Sequence, residues 1–313
     1  MEPPGRLLFL LGVAVAAIAG GGRLAAYGQS FSFAIIADPH VDGTADHLSK
    51  FQSAVNYIIS TKATRNTQLV FVVGDIAWGG SNLSVAKGVL DRLNKAGIPY
   101  VPLIGDNEVH SRHERQFDAT FAPQYRYLSG VLANWRKAPT PVNGQYLQNF
   151  SFDHGGVHFV CADFASRKSG DEGGNLNDFK GGTWPWVKDD IVSHANKNPK
   201  NENINIMTHI PMFHTGFAAD QYLFDSAEYS SIKDFLYPYR SNVDSNYAGH
   251  IHQNFVWYVT WNLQPIYTSR VTDETWHDTR FPESNDRKNT VLFVTATNGA
   301  SSITYSRDIV VIP

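Results

Sequence analysis

Residues Phe31-Ser-Phe-Ala-Ile-Ile-Ala37 form an apolar run that ends at once in Asp38-Pro39-His40. A run of that length, rich in isoleucine and closed by a carboxylate, a proline and a histidine, reads as a buried strand with two metal-capable side chains at its C-terminal end. Open α/β sheets carry their sites at that edge. Four later segments repeat the design: Val70-Phe-Val-Val-Gly74-Asp75, Val101-Pro-Leu-Ile-Gly105-Asp106, Ile204-Asn-Ile-Met-Thr208-His209 and Asn246-Tyr-Ala-Gly249-His250-Ile251-His252. Together they present three carboxylates, Asp38, Asp75 and Asp106, and four imidazoles, His40, His209, His250 and His252.

The intervening sequence explains how these ends converge. Leu48, Phe51, Val55, Ile58 and Ile59 recur at helical steps behind Thr44, a residue suited to an N-cap. A second helix is expected with Asn82 as cap, Ala86, Val89, Leu90 and Leu93 as its apolar face, and Gly97 and Pro99 as its stop. Strand, helix, strand, helix, strand is a parallel βαβαβ unit. Its three strand ends lie side by side, which gathers Asp38, His40, Asp75 and Asp106. From Ser111 to Asn149 the pattern loosens into an aromatic stretch that reads as a connector or as one wall of the site. A hairpin around His154-Gly155-Gly156, helices over Trp184 to Asn196 and Glu228 to Leu236, and mostly antiparallel strands after Tyr247 follow. The charged piece Thr272 to Asn289 reads as a mobile loop beside the site.

Composition narrows the class. Leu7 to Ala19 is almost unbroken apolar sequence behind Arg6, followed by Gly20-Gly-Gly22, the order of a secretory signal peptide. The run is shorter than the roughly 20 residues that a membrane span needs. Residues 1–29 are therefore expected to be a signal peptide and mature N-terminus, residues 30–313 the functional domain, and the protein secreted or periplasmic with no stable membrane anchor. The net charge of −3, with no Lys/Arg cluster, excludes a nucleic-acid footprint. The single cysteine, Cys161, sits in an apolar run and reads as a buried hydrophobe.

Taken singly, each candidate ligand has an ordinary explanation: Asp38 or Asp75 as a helix cap, Asp106 as a turn residue, His209 as a satisfied histidine. Their recurrence at strand ends overturns it. Mixed carboxylate and imidazole donors suit divalent zinc, manganese or iron. Seven donors suffice for two ions if one carboxylate is shared, and Asp75, the middle one, is the natural bridge. Two metals about 3.5–4 Å apart bind phosphoryl oxygens and turn a bound water into hydroxide, so the implied reaction is phosphoester hydrolysis.

At these residues the chain resembles the calcineurin-like metallophosphoesterase superfamily. Asp38-x-His40, Gly74-Asp75, Gly105-Asp106-Asn107-Glu108, His209-Ile-Pro211 and Gly249-His250-x-His252 look like its five ordered motifs. The resemblance implies a four-layer α/β/β/α sandwich, two mixed sheets flanked by helices. It implies one divalent ion held by Asp38, His40, Asp75 and His252, and a second by Asp75, Asp106, His209 and His250. It also implies a small-molecule phosphoester substrate.

The chain departs from the pattern in two places, the third motif and Trp78. The third motif usually reads Gly-Asn-His-(Asp/Glu). Here Asp106 adds a negative charge, and Asn107 replaces the histidine that assists the leaving group; an amide donates a hydrogen bond but shuttles no proton. His110 and His214 are the candidates for that proton. The other departure is Trp78, where purple acid phosphatases carry an iron-binding tyrosine; an indole does not ligate, so a colourless protein with divalent metals is expected. Two rival readings accompany the simple hydrolase. One is a metal- or phosphate-binding relative that has lost turnover with the third-motif histidine. The other is a hydrolase of a bulkier phosphoester, walled by residues 121–146 and 272–289.

Overall fold

The computed structural model describes residues 28–176, 182–212, 222–252, 255–261, 264–271 and 289–312. The apolar leader before Gly28, His214 and all but the last residue of the 272–289 loop lie outside them.

The first sheet grows from the opening run. Strand β1 (Ser30–Ile36) is followed by helix α1 (Ala45–Arg65), β2 (Thr67–Val73), α2 (Gly80–Lys95), β3 (Tyr100–Leu103), α3 (Asp106–His110) and α4 (Glu114–Val131). β1, β2 and β3 are parallel neighbours, as the βαβαβ reading requires. β11 (Thr290–Asn298) and β12 (Ile303–Val311) extend the other edge antiparallel, giving the order β12-β11-β1-β2-β3.

The second sheet has the order β4-β5-β6-β7-β8-β10-β9. It comprises β4 (Ala133–Lys137), β5 (Phe150–His154), β6 (Val157–Ala162), β7 (Ile204–Thr208), β8 (Val243–Ala248), β9 (Phe255–Trp261) and β10 (Gln264–Val271), with α5 (Thr183–Lys197) and α6 (Ser226–Leu236) between strands. β6, β7, β8 and β10 run parallel; the hairpin β5–β6 and the pair β9–β10 are antiparallel.

The two mixed sheets face each other across a core of rings. Phe33 of β1 meets Phe71 of its own sheet, and Phe159 and Tyr247 of the other, edge to face at 5.7, 5.2 and 5.8 Å between ring centroids. On the outer face of the second sheet, Val160, Ile204 and Ile206 pack with Trp184, Val187 and Ile191 of α5 and Ile232 and Leu236 of α6. Helices α1, α2 and α4 cover the first sheet. The layers are therefore helix, sheet, sheet, helix, the α/β/β/α sandwich. Among the described residues no helix is long and apolar enough to cross a membrane.

Three local expectations need correction. Helix α2 begins at Gly80 behind Gly79, so Asn82 is not its cap; the Asn82 side chain instead donates to the Trp78 carbonyl at 2.6 Å. Thr44 stands at the N-cap of α1 but makes no side-chain cap; its hydroxyl and amide both bond to Asp42. The aromatic stretch after Ser111 contains a helix and a strand and turns most of its rings inward, Tyr127 at 39% exposure being an exception. Phe117, Phe121 and Tyr125 are buried, and Trp135 stacks on Phe150. Those rings are core, not a wall of the site.

Phe33 is fully buried at the point where both sheets meet, so Phe33→Ala leaves a cavity that neither sheet can close alone. Chemical denaturation is expected to show a loss of about 3–5 kcal/mol. A loss below about 1 kcal/mol would contradict the packing described.

Candidate metal centre

The loops that leave β1 and β2 run side by side. The His40 amide donates to the Asp75 carbonyl at 3.0 Å and the Val41 amide to the Ile76 carbonyl at 3.0 Å, which presses the first motif against the second. The turn after β3 closes on both. Glu108 accepts from the amides of Ala77 and Gly105 at 2.9 and 2.8 Å, and the Asn107 amide donates to Asp75 Oδ1 at 3.0 Å. From the second sheet, the His250 amide reaches across to Asp38, at 3.0 and 3.1 Å from its two oxygens.

All seven expected ligands are buried and fall into two groups, Asp38, His40, Asp75 and His252, and Asp106, His209 and His250. Within each group the donor atoms lie within 4.8 Å of one another. In the first, His40 Nε2 stands 3.8 Å from Asp38 Oδ1 and 3.8 Å from Asp75 Oδ2, and 3.2 Å from His252 Nε2. In the second, His209 Nε2 and His250 Nδ1 stand 2.8 and 2.9 Å from Asp106 Oδ1. The other oxygen of Asp75, Oδ1, is 3.2 Å from His209 Nε2. One carboxylate thus turns one oxygen toward each group, the geometry of a bridge.

Close approach fixes the glycines of the motifs. A Cβ at Gly105 would overlap the amide nitrogen and Oδ1 of Asp75, and one at Gly74 would overlap the His209 ring. The ligands themselves carry backbone strain. Asp38, His40, Asp75, His250 and His252 all have φ between 44° and 74°, the left-handed region that non-glycine residues seldom enter.

The donor set fits divalent cations. His209 Nδ1–H donates to the Val73 carbonyl at 2.8 Å, which leaves Nε2, the nitrogen facing Asp106 and Asp75, as the one available for a ligand bond. His250 Nε2 is buried without a hydrogen-bond partner among the described residues. Burial, reinforced by the neighbouring Asp75 and Asp106, holds the Asp38 carboxyl well above the usual carboxylate range. Burial likewise pushes His40 down to about 3, keeping the ring neutral as a ligand must be. Asp106 goes the other way: burial opposes its ionisation, but His250 and His209 hold it well below the usual range.

The residues outside the seven are arranged as follows. Asn107 does not point away as a free donor; its side-chain amide donates to Asp75 Oδ2 at 2.5 Å and lies 3.3 Å from His40 Nδ1. His110 ends α3 one turn after Asp106, and its Nε2 is buried with no hydrogen-bond partner among the described residues. His214 lies outside the described residues. Glu108 escaped the sequence reading as a contributor. Burial and the nearby Asp75 push its carboxyl up to about 8, and its two backbone bonds tie the second motif to the third. A glutamate three residues into a helix that starts behind glycine was the available signal.

Two packed mixed sheets thus carry, at their strand ends, a buried cage of seven carboxylate and imidazole donors that could hold metal ions. The chain belongs to the calcineurin-like phosphoesterase family, whose model matches residues 31–254. Members of that family use a dinuclear metal site. Among solved structures, a dimetal phosphatase from Danio rerio superposes with a TM-score of 0.57 at 14% identity, over 90% of this chain and 99% of that one. A purple acid phosphatase from yellow lupin, Lupinus luteus, superposes with a TM-score of 0.52 at 12% identity, over 90% of this chain and 52% of that one. The chain therefore spans about half the length of the lupin protein. At these identities the superpositions show a shared fold. No curated protein matches the chain by sequence.

Trp78 occupies a telling place. Its indole N–H donates to His40 Nδ1 at 2.6 Å, while the side chain is 43% exposed. If His40 ligates through Nε2, the ring proton resides on Nδ1, where it opposes the indole N–H. Binding of manganese or zinc is therefore expected to move Trp78 and change tryptophan emission, a change lost in Trp78→Phe. Equal changes in both proteins would contradict this placement.

Proposed function

We propose that the chain is an exported hydrolase of small-molecule phosphoesters that works with two divalent ions, manganese, zinc or iron. The observation that carries the proposal is Asp75, whose two oxygens face the two donor groups. Asp38, His40, Asp75 and His252 would hold one ion, and Asp75, Asp106, His209 and His250 the other. When bound, such a pair polarises phosphoryl oxygens and makes water nucleophilic at neutral pH.

The chain's own residues supply position and protons. Asn107 and the amide of His250 hold the carboxylates of Asp75 and Asp38 in place. With three carboxylates against two divalent ions, the cage keeps one net positive charge, which binds metal tightly and draws an anionic phosphate less strongly. His110, one turn from Asp106, or His214 delivers the proton to the leaving group. Trp78 at the position of an iron-binding tyrosine favours divalent metals and a colourless protein. The apolar run before Gly20 supports export.

One observation favours a second reading. Because Asn107 stands in place of a proton-shuttling histidine and directs its amide to Asp75, a metal- and phosphate-binding protein without turnover remains its rival.

Phosphoester turnover by the purified chain, with Asp75→Asn as control, separates the two. The substitution is expected to lower activity by more than about 100-fold, since even partners outside the ligand shell are worth about 10–100-fold. Loss of the leaving-group proton, in His110→Ala or His214→Ala, is expected to slow alkyl phosphates by ~10²–10⁴-fold and nitrophenyl esters much less. Full metal loading with no turnover of mono- or diesters would favour the binding protein.

A further inference from the structure

The edge of the second sheet that carries His209 also carries a basic cavity. β6 and β7 are parallel and Ala162 is the register partner of Thr208, so Asp163 and His209 leave the sheet side by side. The chain entering β5 comes to the same edge: the Gln148 amide donates to Asp163 Oδ2 at 3.0 Å, and Asn149 Oδ1 accepts from the Asp163 amide at 2.9 Å. A cavity of about 520 Å³ opens here, between the turn that joins α3 to α4 and residues Gly144 to Tyr146. Three guanidiniums line it, those of Arg112, Arg115 and Arg167, against the single carboxylate of Glu114 among the described residues.

The three arginines differ in what holds them. Arg167 has a buried side chain that grips Asp163 with both terminal nitrogens, at 2.6 and 2.7 Å, and Glu114 through Nε at 3.1 Å. Those three residues together carry one net negative charge. Arg112 and Arg115 are exposed, and neither side chain has a hydrogen bond, ion pair or ring contact among the described residues. Two guanidiniums without partners outweigh one negative charge, so the cavity attracts an anion. A guanidinium offers parallel N–H donors that match phosphate oxygens, and Gln145 and Tyr146 add neutral donors to the lining.

The distance from this cavity to the cage is set by α3. The Arg112 amide donates to the Val109 carbonyl and the His113 amide to the Glu108 carbonyl, each at 2.9 Å, which ends the helix and holds Arg112 at φ 59°. Glu108 is the same residue that ties the second motif to the third. At about 1.5 Å per helical residue, Arg112 stands roughly 10 Å from Asp106 along the chain. That span exceeds the separation of the two phosphorus atoms of a diphosphate. It suits two phosphates carried apart on one carbon skeleton.

We propose that this cavity is a subsite for a second phosphate of the substrate, held by Arg112 and Arg115 while the ester bond lies at the metal centre. Bisphosphates on an extended carbon skeleton are then the preferred substrate class. The inference rests on the phosphoester-hydrolase reading and adds the substrate class to it. A leaving group that reaches the cavity passes along α3, whose last residue is His110.

Calorimetric titration of the manganese-loaded full chain with hexane bisphosphonate and with hexylphosphonate, whose carbon–phosphorus bonds resist hydrolysis, tests the subsite. The bisphosphonate is expected to bind about 10–100-fold tighter, as charge-assisted hydrogen bonds allow, and the advantage to shrink as salt is raised. The double variant Arg112→Gln, Arg115→Gln is expected to lose most of that advantage, and Arg126→Gln, which removes one charge from α4 further from the cavity, to keep it. Equal affinity for the two phosphonates, binding of neither, or an advantage that survives the double variant would overturn the subsite. Should the double variant fail to fold, Arg115→Gln alone decides: a several-fold loss of the advantage supports the subsite, and an unchanged ratio overturns it. Phosphoester turnover is read separately. A bisphosphonate preference without turnover sustains the subsite while the hydrolase reading fails, and turnover with equal affinities does the reverse.

Discussion

The structure depends on how three carboxylates and four imidazoles are kept together out of water. Burying an ionised carboxylate costs several kcal/mol unless an opposite charge or strong hydrogen bonds compensate it. Backbone amides supply part of that compensation, from Asn107 to Asp75 and from His250 to Asp38. The rest is electrostatic. Asp38, desolvated and facing Asp75 and Asp106, resists ionisation, whereas two divalent ions reverse the sign of the field it feels. Five ligand residues also hold left-handed backbone, each at a cost of about 1–3 kcal/mol. Such strain persists where the surrounding fold over-determines it, and here the parallel ends of β1 and β2, the turn after β3 and the facing second sheet all bear on the same few residues.

Much of this was legible before any coordinates. The strand ends announced themselves because a buried strand needs no polar residue at its exit, so a carboxylate or histidine recurring there demands a reason. Helix α4 was not legible. Phe117, Phe121, Tyr125 and Leu128 fall at helical steps, but Pro123 lies inside the helix and removes a backbone donor. What holds the helix is tertiary: Tyr125 and Gln124 donate to the carbonyls of Pro102 and Tyr100 on β3. Nor could sequence spacing reveal the left-handed ligands: Asp and His enter that region more often than most side chains, but the preference is too weak to single out these five positions. The Gly79 start of α2 was missed for a similar reason, since Asn82 offered the stronger local capping chemistry.

The two departures from the family pattern meet at His40. Trp78 and Asn107 both approach its Nδ1, at 2.6 and 3.3 Å, and Asn107 also anchors Asp75. An indole and an amide replace a phenol and an imidazole, exchanging groups that ligate or shuttle protons for groups that only donate hydrogen bonds. In the proposed hydrolase the metal donors are kept, and the proton chemistry passes to residues further along the chain. His110, on the turn of helix that begins with Asp106, is the nearest such residue in sequence.

The bridging role proposed for Asp75 is open to direct observation. Crystals grown with manganese, measured at the manganese absorption edge, are expected to show two anomalous peaks about 3.5–4 Å apart with one Asp75 oxygen directed at each. A single peak, or two ions with the Asp75 carboxylate turned away from either, would contradict the account.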